Sequence, residues 1–421
     1  MIIAGLMTGT SADGLDLVIA EFLPDPTVGS DLVGADPTTL TVRILAERET
    51  PFDEELSADI LRLLEPADVP LSLVSSVDAR LGRFSAEALS ELCSDHDLRP
   101  DLVVSHGQTV RHDISDGQVT STLQLGQPAF IAERLGVPVL SDVRSRDVAA
   151  GGQGAPLVGL LDSLLLSDAA QADATQADAA EADATEADAT APTAVLNLGG
   201  IANITVIAPD QDPVAFDTGP ANALIDILAR RITDGSQGYD RDGALAAAGT
   251  VDEELLTELL TEPYYELPAP KSTGKELFHA AYLDSYLRSH PHLGEHDQIA
   301  TVTALTARTI AEAARRHDVT TVIASGGGTR NPELMRRLGE ELGENVELTS
   351  TDEAFGLPEG SKEALLMALL GWLSWHGLDG TEPSLTGARG PRIAGRFTPG
   401  DGPLQLPEPL HRRPARLRLA D

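Results

Sequence analysis

The sequence predicts an α/β protein of two domains. Its 421 residues exceed what a single hydrophobic core ordinarily serves. Short apolar runs alternate with stretches of helical apolar spacing in both halves of the chain. The same opening, a strand, a glycine-rich turn and a second strand, occurs at the N-terminus and again near residue 194.

In chain order, residues 2–6 and 17–22 read as strands on either side of a Gly/Ser/Thr turn. Helical spacing follows over 53–64 and 76–94, then a strand at 102–105, a helix at 127–135 and a strand at 137–140. Four pentads, QADAT-QADAA-EADAT-EADAT, then occupy 171–190. A five-residue period puts Asp on every face of a helix and leaves no apolar stripe to dock it, which predicts a solvated acidic insertion over 168–192. The plan restarts with strands at 194–198 and 204–208 around a turn at 199–203. Helices are expected at 220–232, 252–261, 274–289, 297–316, 332–341 and 361–376, with a strand at 319–324 running into three glycines. This gives an N-terminal domain over 1–167 and a C-terminal domain over 193–398, whose last helices can pack back on the first. Residues 399–421 are expected to be a solvated tail.

Composition removes several function classes. Thirty basic residues against 66 acidic ones give a net charge of −36, which would repel nucleic acid. The acidic insertion carries seven of the acidic residues, so the rest of the chain is acidic too. One cysteine, Cys93, allows neither a disulfide framework nor a thiolate metal cluster. The most apolar run, residues 364–373, is half the roughly 20 residues a spanning helix needs. The N-terminus lacks the basic start and long apolar run of a signal peptide, so the cytoplasm is expected.

Three glycine clusters point to nucleotide binding. Glycine lets the backbone approach phosphate closely, and turn amides donate without side-chain bulk. The clusters are the first turn (Gly9, Thr10, Ser11, Ala12, Asp13, Gly14, Leu15, Asp16), the second turn at Gly199 and Gly200, and Gly326, Gly327 and Gly328 after a later strand. Neither G-x-x-x-x-G-K-[ST] nor a first-strand G-x-G-x-x-G is present, so the familiar phosphate-loop and dinucleotide fingerprints do not apply. Ser105-His106-Gly107-Gln108-Thr109 follows a strand and offers hydroxyl, imidazole and amide groups that suit a polyol, with His106 open between a ligand contact and a structural hydrogen-bonder. The run Asp142-Val143-Arg144-Ser145-Arg146-Asp147 reads as an anion fork or as a loop-stiffening ion pair. Phe216-Asp217-Thr218-Gly219-Pro220 reads as a helix cap or as a carboxylate aimed into a cleft as a base. Lys271-Ser272-Thr273-Gly274 is open between a solvated loop and a ligand contact.

Together these residues resemble the anhydro-N-acetylmuramic acid kinase family. The resemblance rests on GLMTGTSADGLD, SHGQTVRH, TLQLGQPAFIAE, RDVAAGGQGAPLV, VLNLGGIANIT, FDTGPANALID, YDRDGA, PKSTGKELF, SGGGTRNPELM and SLTGARGPR, in that order from residue 5 to 392. It implies two actin-like, ribonuclease H-like domains with an interdomain cleft for ATP and sugar. It also implies ATP-dependent, hydrolytic opening of the 1,6-anhydro bridge with phosphorylation of O6, a step of peptidoglycan recycling. In the anhydro sugar O6 carries no proton to lose, so a water must attack the anomeric carbon, and the resemblance makes Asp217 its base. By the same carry-over, Gly9 to Asp16 form the ATP phosphate loop, and Gly199, Gly200 and Asn203 the second phosphate turn. Gly326 to Gly328 back the adenosine, while Thr109, Gln124, Arg146 and Glu363 hold the sugar. Mg²⁺ is expected with ATP, its direct ligands unassigned, and a homodimer is the family expectation. Ala221 stands where the family often has glycine, and Val143 where it more often has phenylalanine. The alternatives are a levoglucosan kinase, which opens the same bridge on a plainer sugar, and a non-catalytic ATP-binding sensor.

Overall fold

The structure, a computed structural model, describes residues 1–9, 12–24, 38–64, 67–115, 118–167, 191–208, 211, 213–274 and 277–420. The acidic pentads, Thr10 and Ser11 lie outside the described residues. The chain first forms β1 (Ile2–Met7), β2 (Gly14–Pro24), β3 (Thr39–Pro51), α1 (Glu54–Leu64), α2 (Leu71–His96), β4 (Leu102–Ser105), β5 (Gln108–Ser115) and β6 (Gln118–Leu125). Next come α3 (Pro128–Leu135), β7 (Val139–Ser141), α4 (Ser145–Ala149) and a helix α5 over 158–167. The chain continues with β8 (Thr193–Leu198), β9 (Ile201–Ile207), β10 (Val214–Pro220), α6 (Asn222–Ile232), α7 (Ala244–Ala247), α8 (Glu253–Leu259), α9 (Ala280–Leu287), α10 (Glu295–Arg316) and β11 (Thr321–Ser325). It ends with α11 (Pro332–Leu342), β12 (Glu347–Ser350), α12 (Thr351–Phe355), α13 (Lys362–Trp375), α14 (Pro383–Thr386), β13 (Arg396–Thr398) and β14 (Arg416–Ala420). Two compact units result: Met1–Ala184 with Gly360–Asp421, and Thr185–Glu359.

The first unit is built on a seven-stranded sheet in the order β13-β7-β4-β1-β2-β3-β14. β1, β2 and β3 run antiparallel as a meander, and β4 and β7 add in parallel. β1 is a continuous apolar run because both of its faces are buried. With a period of two, Ala4 and Leu6 join the core formed with α1 and α2, which includes Ile60, Leu89 and Leu92. Ile3 and Gly5 point the other way, against α13. Gly5 has to be glycine there, since a Cβ would collide with the carbonyl oxygen of Ala364.

The second unit carries a five-stranded sheet, β10-β9-β8-β11-β12, in which β8 to β10 are an antiparallel meander and β11 and β12 add in parallel. Its core joins Leu196, Leu198, Ile204 and Phe216 of the sheet to Ile310 and Ala311 of α10 and Leu334 and Leu338 of α11. A second cluster packs α6 and α8 against an aromatic group that includes Tyr264, Tyr265 and Phe278. Both sheets thus share the plan of a meander extended by parallel strands.

Two expectations change, and the last helices take up the option of packing with the first unit. The helix expected over 274–289 is confined to Ala280–Leu287, because His279 caps it by accepting from Tyr282 N at 3.0 Å. The expected solvated tail ends in β14, which pairs in parallel with β3 and buries Leu417. The segment from Gly360 onward belongs with the first unit, and α13 packs on β1, β2 and β4 there. β3, the β5–β6 hairpin and β10 were not visible as runs in the sequence: their burial is interrupted by exposed and half-buried residues or confined to short stretches.

Candidate active site

In the first unit, the turn between β1 and β2 is tied down from below. Fully buried Gln108 accepts from Thr8 Oγ1 at 2.8 Å and donates from Nε2 to Gly9 O at 3.2 Å and Thr109 O at 3.3 Å. Ala12 closes the turn in the left-handed region, with φ 58°, and donates to Gly9 O at 3.3 Å. Gly14 and Leu15 have packing roles: a Cβ at Gly14 would stand 2.9 Å from Thr50 O, and Leu15 is buried in the core. Asp13 is exposed and Asp16 half-buried. Both are hard oxygen donors of the kind Mg²⁺ takes.

Thr109 and Gln124 are brought together as cross-strand partners of β5 and β6. Gln124 Nε2 donates to Thr109 Oγ1 at 3.1 Å and to Thr122 Oγ1 at 2.8 Å. Its Oε1 is buried with no hydrogen-bond partner among the described residues. An orphaned acceptor of this kind fits a ligand hydroxyl or amide.

The arginine run resolves into two different environments. Arg144 Nε donates to His106 Nε2 at 2.7 Å, and Nη1 donates to Gly154 O at 2.7 Å. Because Nε2 accepts, the His106 proton sits on Nδ1, which donates to Gly107 O at 2.6 Å. Burial, with the Arg144 charge second, pushes the His106 pKa down to about 3, so the ring is neutral. Glu363 and Asp147 are the carboxylates whose fields act on Arg144. Arg146, two residues on, is exposed and donates to Ile393 O at 3.3 Å. Buried Asp147 braces the glycine loop: it accepts from Gly154 N at 2.8 Å and from Thr386 Oγ1 at 2.8 Å.

In the second unit, Asp217 on β10 is held at every polar position. Oδ1 accepts from Asn203 Nδ2 at 2.9 Å, and Oδ2 accepts from Ser272 Oγ at 3.0 Å and Thr273 N at 2.8 Å. Its backbone N donates to Lys271 O at 3.0 Å, and its carbonyl accepts from Tyr264 Oη at 2.8 Å. Lys271 Nζ in turn bonds Tyr264 O and Tyr265 O, each at 3.0 Å, and lies 4.6 Å from the centre of the Tyr264 ring. These contacts make Lys271, Ser272 and Thr273 a strap on Asp217.

The glycine turns of this unit divide by role. Gly199 O accepts from Asn222 N and Nδ2, and Gly200 O accepts from Ala221 N and Ala223 N, so the turn seats the start of α6. Gly326 and Gly328 pack on β8: a Cβ at Gly326 would stand 3.0 Å from Leu198 N, and one at Gly328 2.7 Å from Leu198 Cβ. A Cβ at Gly327 would meet nothing within 4 Å, which fits the approach of a flat ring there. Arg144 was weighed from sequence only as part of the anion-fork run and Asn222 only as part of its motif, neither as a site residue by itself. Glu254, Glu258 and His290 offer ligand atoms within 4.8 Å of one another, but they belong to none of the motifs.

Two units, each an α/β arrangement led by an antiparallel hairpin and extended by parallel strands, put the chain in the class of two-unit α/β proteins. The family model described as anhydro-N-acetylmuramic acid kinase matches residues 1–177 and 178–400. A relative of that name from Streptomyces coelicolor is 46% identical over 100% of this chain and 99% of its own. One from Pseudomonas paraeruginosa is 37% identical over 94% of this chain and 98% of its own. The chain belongs to the anhydro-N-acetylmuramic acid kinase family. Solved structures similar to it include a glucokinase of the ROK family from Streptomyces griseus in complex with glucose and AMPPNP, at 13% identity, 88% and 99% coverage and a TM-score of 0.30. No helix among the described residues is long and apolar enough to cross a membrane.

Proposed function

We propose that the chain adds water across the 1,6-anhydro bridge of 1,6-anhydro-N-acetylmuramic acid and transfers the ATP γ-phosphoryl group to O6, with Asp217 as the base. Water attacks the anomeric carbon, the bond from that carbon to O6 breaks, and the freed O6 takes the phosphoryl group. The water proton passes to Asp217. The products are N-acetylmuramic acid 6-phosphate and ADP. The observation that carries this reading is the Asp217 carboxylate, gripped through Asn203, Ser272 and Thr273 and so held in one orientation. A base has to be aimed before it is useful, and a positioned one supplies roughly 10²–10⁴-fold.

On the sugar side, Thr109, Gln124 and Glu363 keep their expected roles. Arg144 is offered in place of Arg146 for the arginine role, because its guanidinium is fixed on His106 and Gly154 O and lies in the field of Glu363, whereas Arg146 is exposed and bonds Ile393 O. ATP is supported by the family and by the open backbone at Gly327. Mg²⁺, when bound with ATP, neutralises phosphate charge during transfer, and Asp13 and Asp16 are the carboxylates suited to hold it or its waters. A homodimer in the cytoplasm completes the proposal, and sedimentation of the purified chain tests its oligomeric part.

The deciding experiment compares turnover of the anhydromuramic sugar and of levoglucosan by the wild type and by Asp217→Asn. Phosphorylated N-acetylmuramic acid from the wild type alone supports the reading. Preference for levoglucosan reassigns the substrate, and ATP binding without turnover of either sugar overturns the kinase reading in favour of a sensor.

A further inference from the structure

Helix α13 poses a packing problem. From Ala364 to Ser374 it is buried without interruption, so it has no polar face to set its rotation. Yet its first turn carries Glu363, whose charge acts on Arg144. A buried polar pair adds to packing a choice of one register, as single buried polar residues do in coiled coils.

Lys362 makes such a pair. Its Nζ lies 2.8 Å from Asp162 Oδ1 on α5, with the two side chains 3% and 1% exposed. The residue before it, Ser361, donates from Oγ to the Glu47 carboxylate on β3. The residue after it is Glu363. Three consecutive residues thus address three different elements, β3, α5 and the segment leading into α4. The first turn of α13 also has little room to drift, because Ala364 O and Ala368 N sit directly on Gly5 of β1.

We infer that the buried Lys362–Asp162 pair is a positioning device for the sugar side of the site, fixing the start of α13 and with it the place of Glu363. The pair is poorly built for stability alone: Asp162 Oδ2 has no hydrogen-bond partner among the described residues. Buried pairs of this kind are often no more stable than apolar residues of the same volume, so register is the better account of this one. Neither residue is placed on reacting atoms. The inference rests on the proposed sugar-side roles of Glu363 and Arg144.

The test uses the full chain carrying Asp162→Leu with Lys362→Met, alongside Asp162→Asn, Lys362→Arg and Glu363→Gln. Thermal midpoint, kcat, and KM for anhydro-N-acetylmuramic acid and for ATP are measured for each. The double variant is expected to stay folded while its sugar KM rises roughly tenfold and its ATP KM stays within about twofold of wild type. Lys362→Arg, which keeps the charge, should recover most of the sugar KM. A folded double variant with wild-type KM for both substrates overturns the inference. If the double variant fails to fold, Asp162→Asn decides by the same reading of the two KM values. Glu363→Gln separates the two levels: an unchanged sugar KM there removes the proposed role of Glu363 itself. A raised KM there, with wild-type values in the pair variants, removes only the positioning role.

Discussion

Arg144 donates from Nε to His106 Nε2 at 2.7 Å, an arrangement that requires the imidazole to be neutral. The folded pKa is pushed down to about 3 from the ordinary 6.5, so between these values the unfolded chain binds more protons than the folded one. Stability from this group is full above pH 6.5 and is lost as pH falls towards 3. The unfolding midpoint should therefore drop on acidification through this window, followed by calorimetry. Burial also lowers His112, His317 and His376, so the share of His106 is read as the part of the slope that His106→Gln removes.

The Asp217 strap makes a graded prediction. Asp217→Asn should lose roughly 10²–10⁴-fold in kcat while ATP affinity holds. Ser272→Ala leaves the Thr273 amide on Oδ2 and should cost about tenfold or less. Tyr264→Phe removes the bond to the Asp217 carbonyl and should lower kcat with little change in either KM. Steady-state kinetics of the three variants checks the order, and equal losses in all three would argue against a base at Asp217.

The two arginines should behave oppositely. Arg144→Lys cannot span His106 and Gly154 O with one point charge, and its sugar KM should rise roughly tenfold or more. Arg146→Ala gives up one long bond at the surface and should stay within about twofold of wild type. A reversed result would return the sugar-side role to Arg146.

The glycine run after β11 should split by position. Gly326 has φ 88° and packs on Leu198, so Gly326→Ala should destabilise by about 1–3 kcal/mol in chemical denaturation. Gly327→Ala adds a methyl to open space and should leave stability within about 0.5 kcal/mol of wild type. Calorimetric titration with ATP should nonetheless show weaker binding for Gly327→Ala.

Much of the fold was legible because it depends on local pattern. Apolar runs marked β1, β4, β8 and β11, and helical spacing marked α1, α2, α10 and α11. β3 and the β5–β6 hairpin were not visible, because exposed and half-buried residues interrupt their apolar pattern. β14 was unreadable for another reason: its strand exists only because β3 offers an edge from far away in the chain. The glycine turns were visible as composition, whereas the division between packing at Gly326 and openness at Gly327 depends on what stands across from each.

By itself the sequence determined the α/β class, the acidic surface, the motifs and hence the family, since each follows from residue types and their order. Tertiary structure alone decided which members of those motifs face one another. Arg144 and Arg146 are two residues apart and chemically identical, yet one bonds His106 and the other a surface carbonyl, because the chain enters α4 between them. Lys362 and Asp162 are separated by 200 positions and meet at 2.8 Å only because α13 returns to the first unit. A side chain's partners are set by the fold that surrounds it, and no local pattern carries that information.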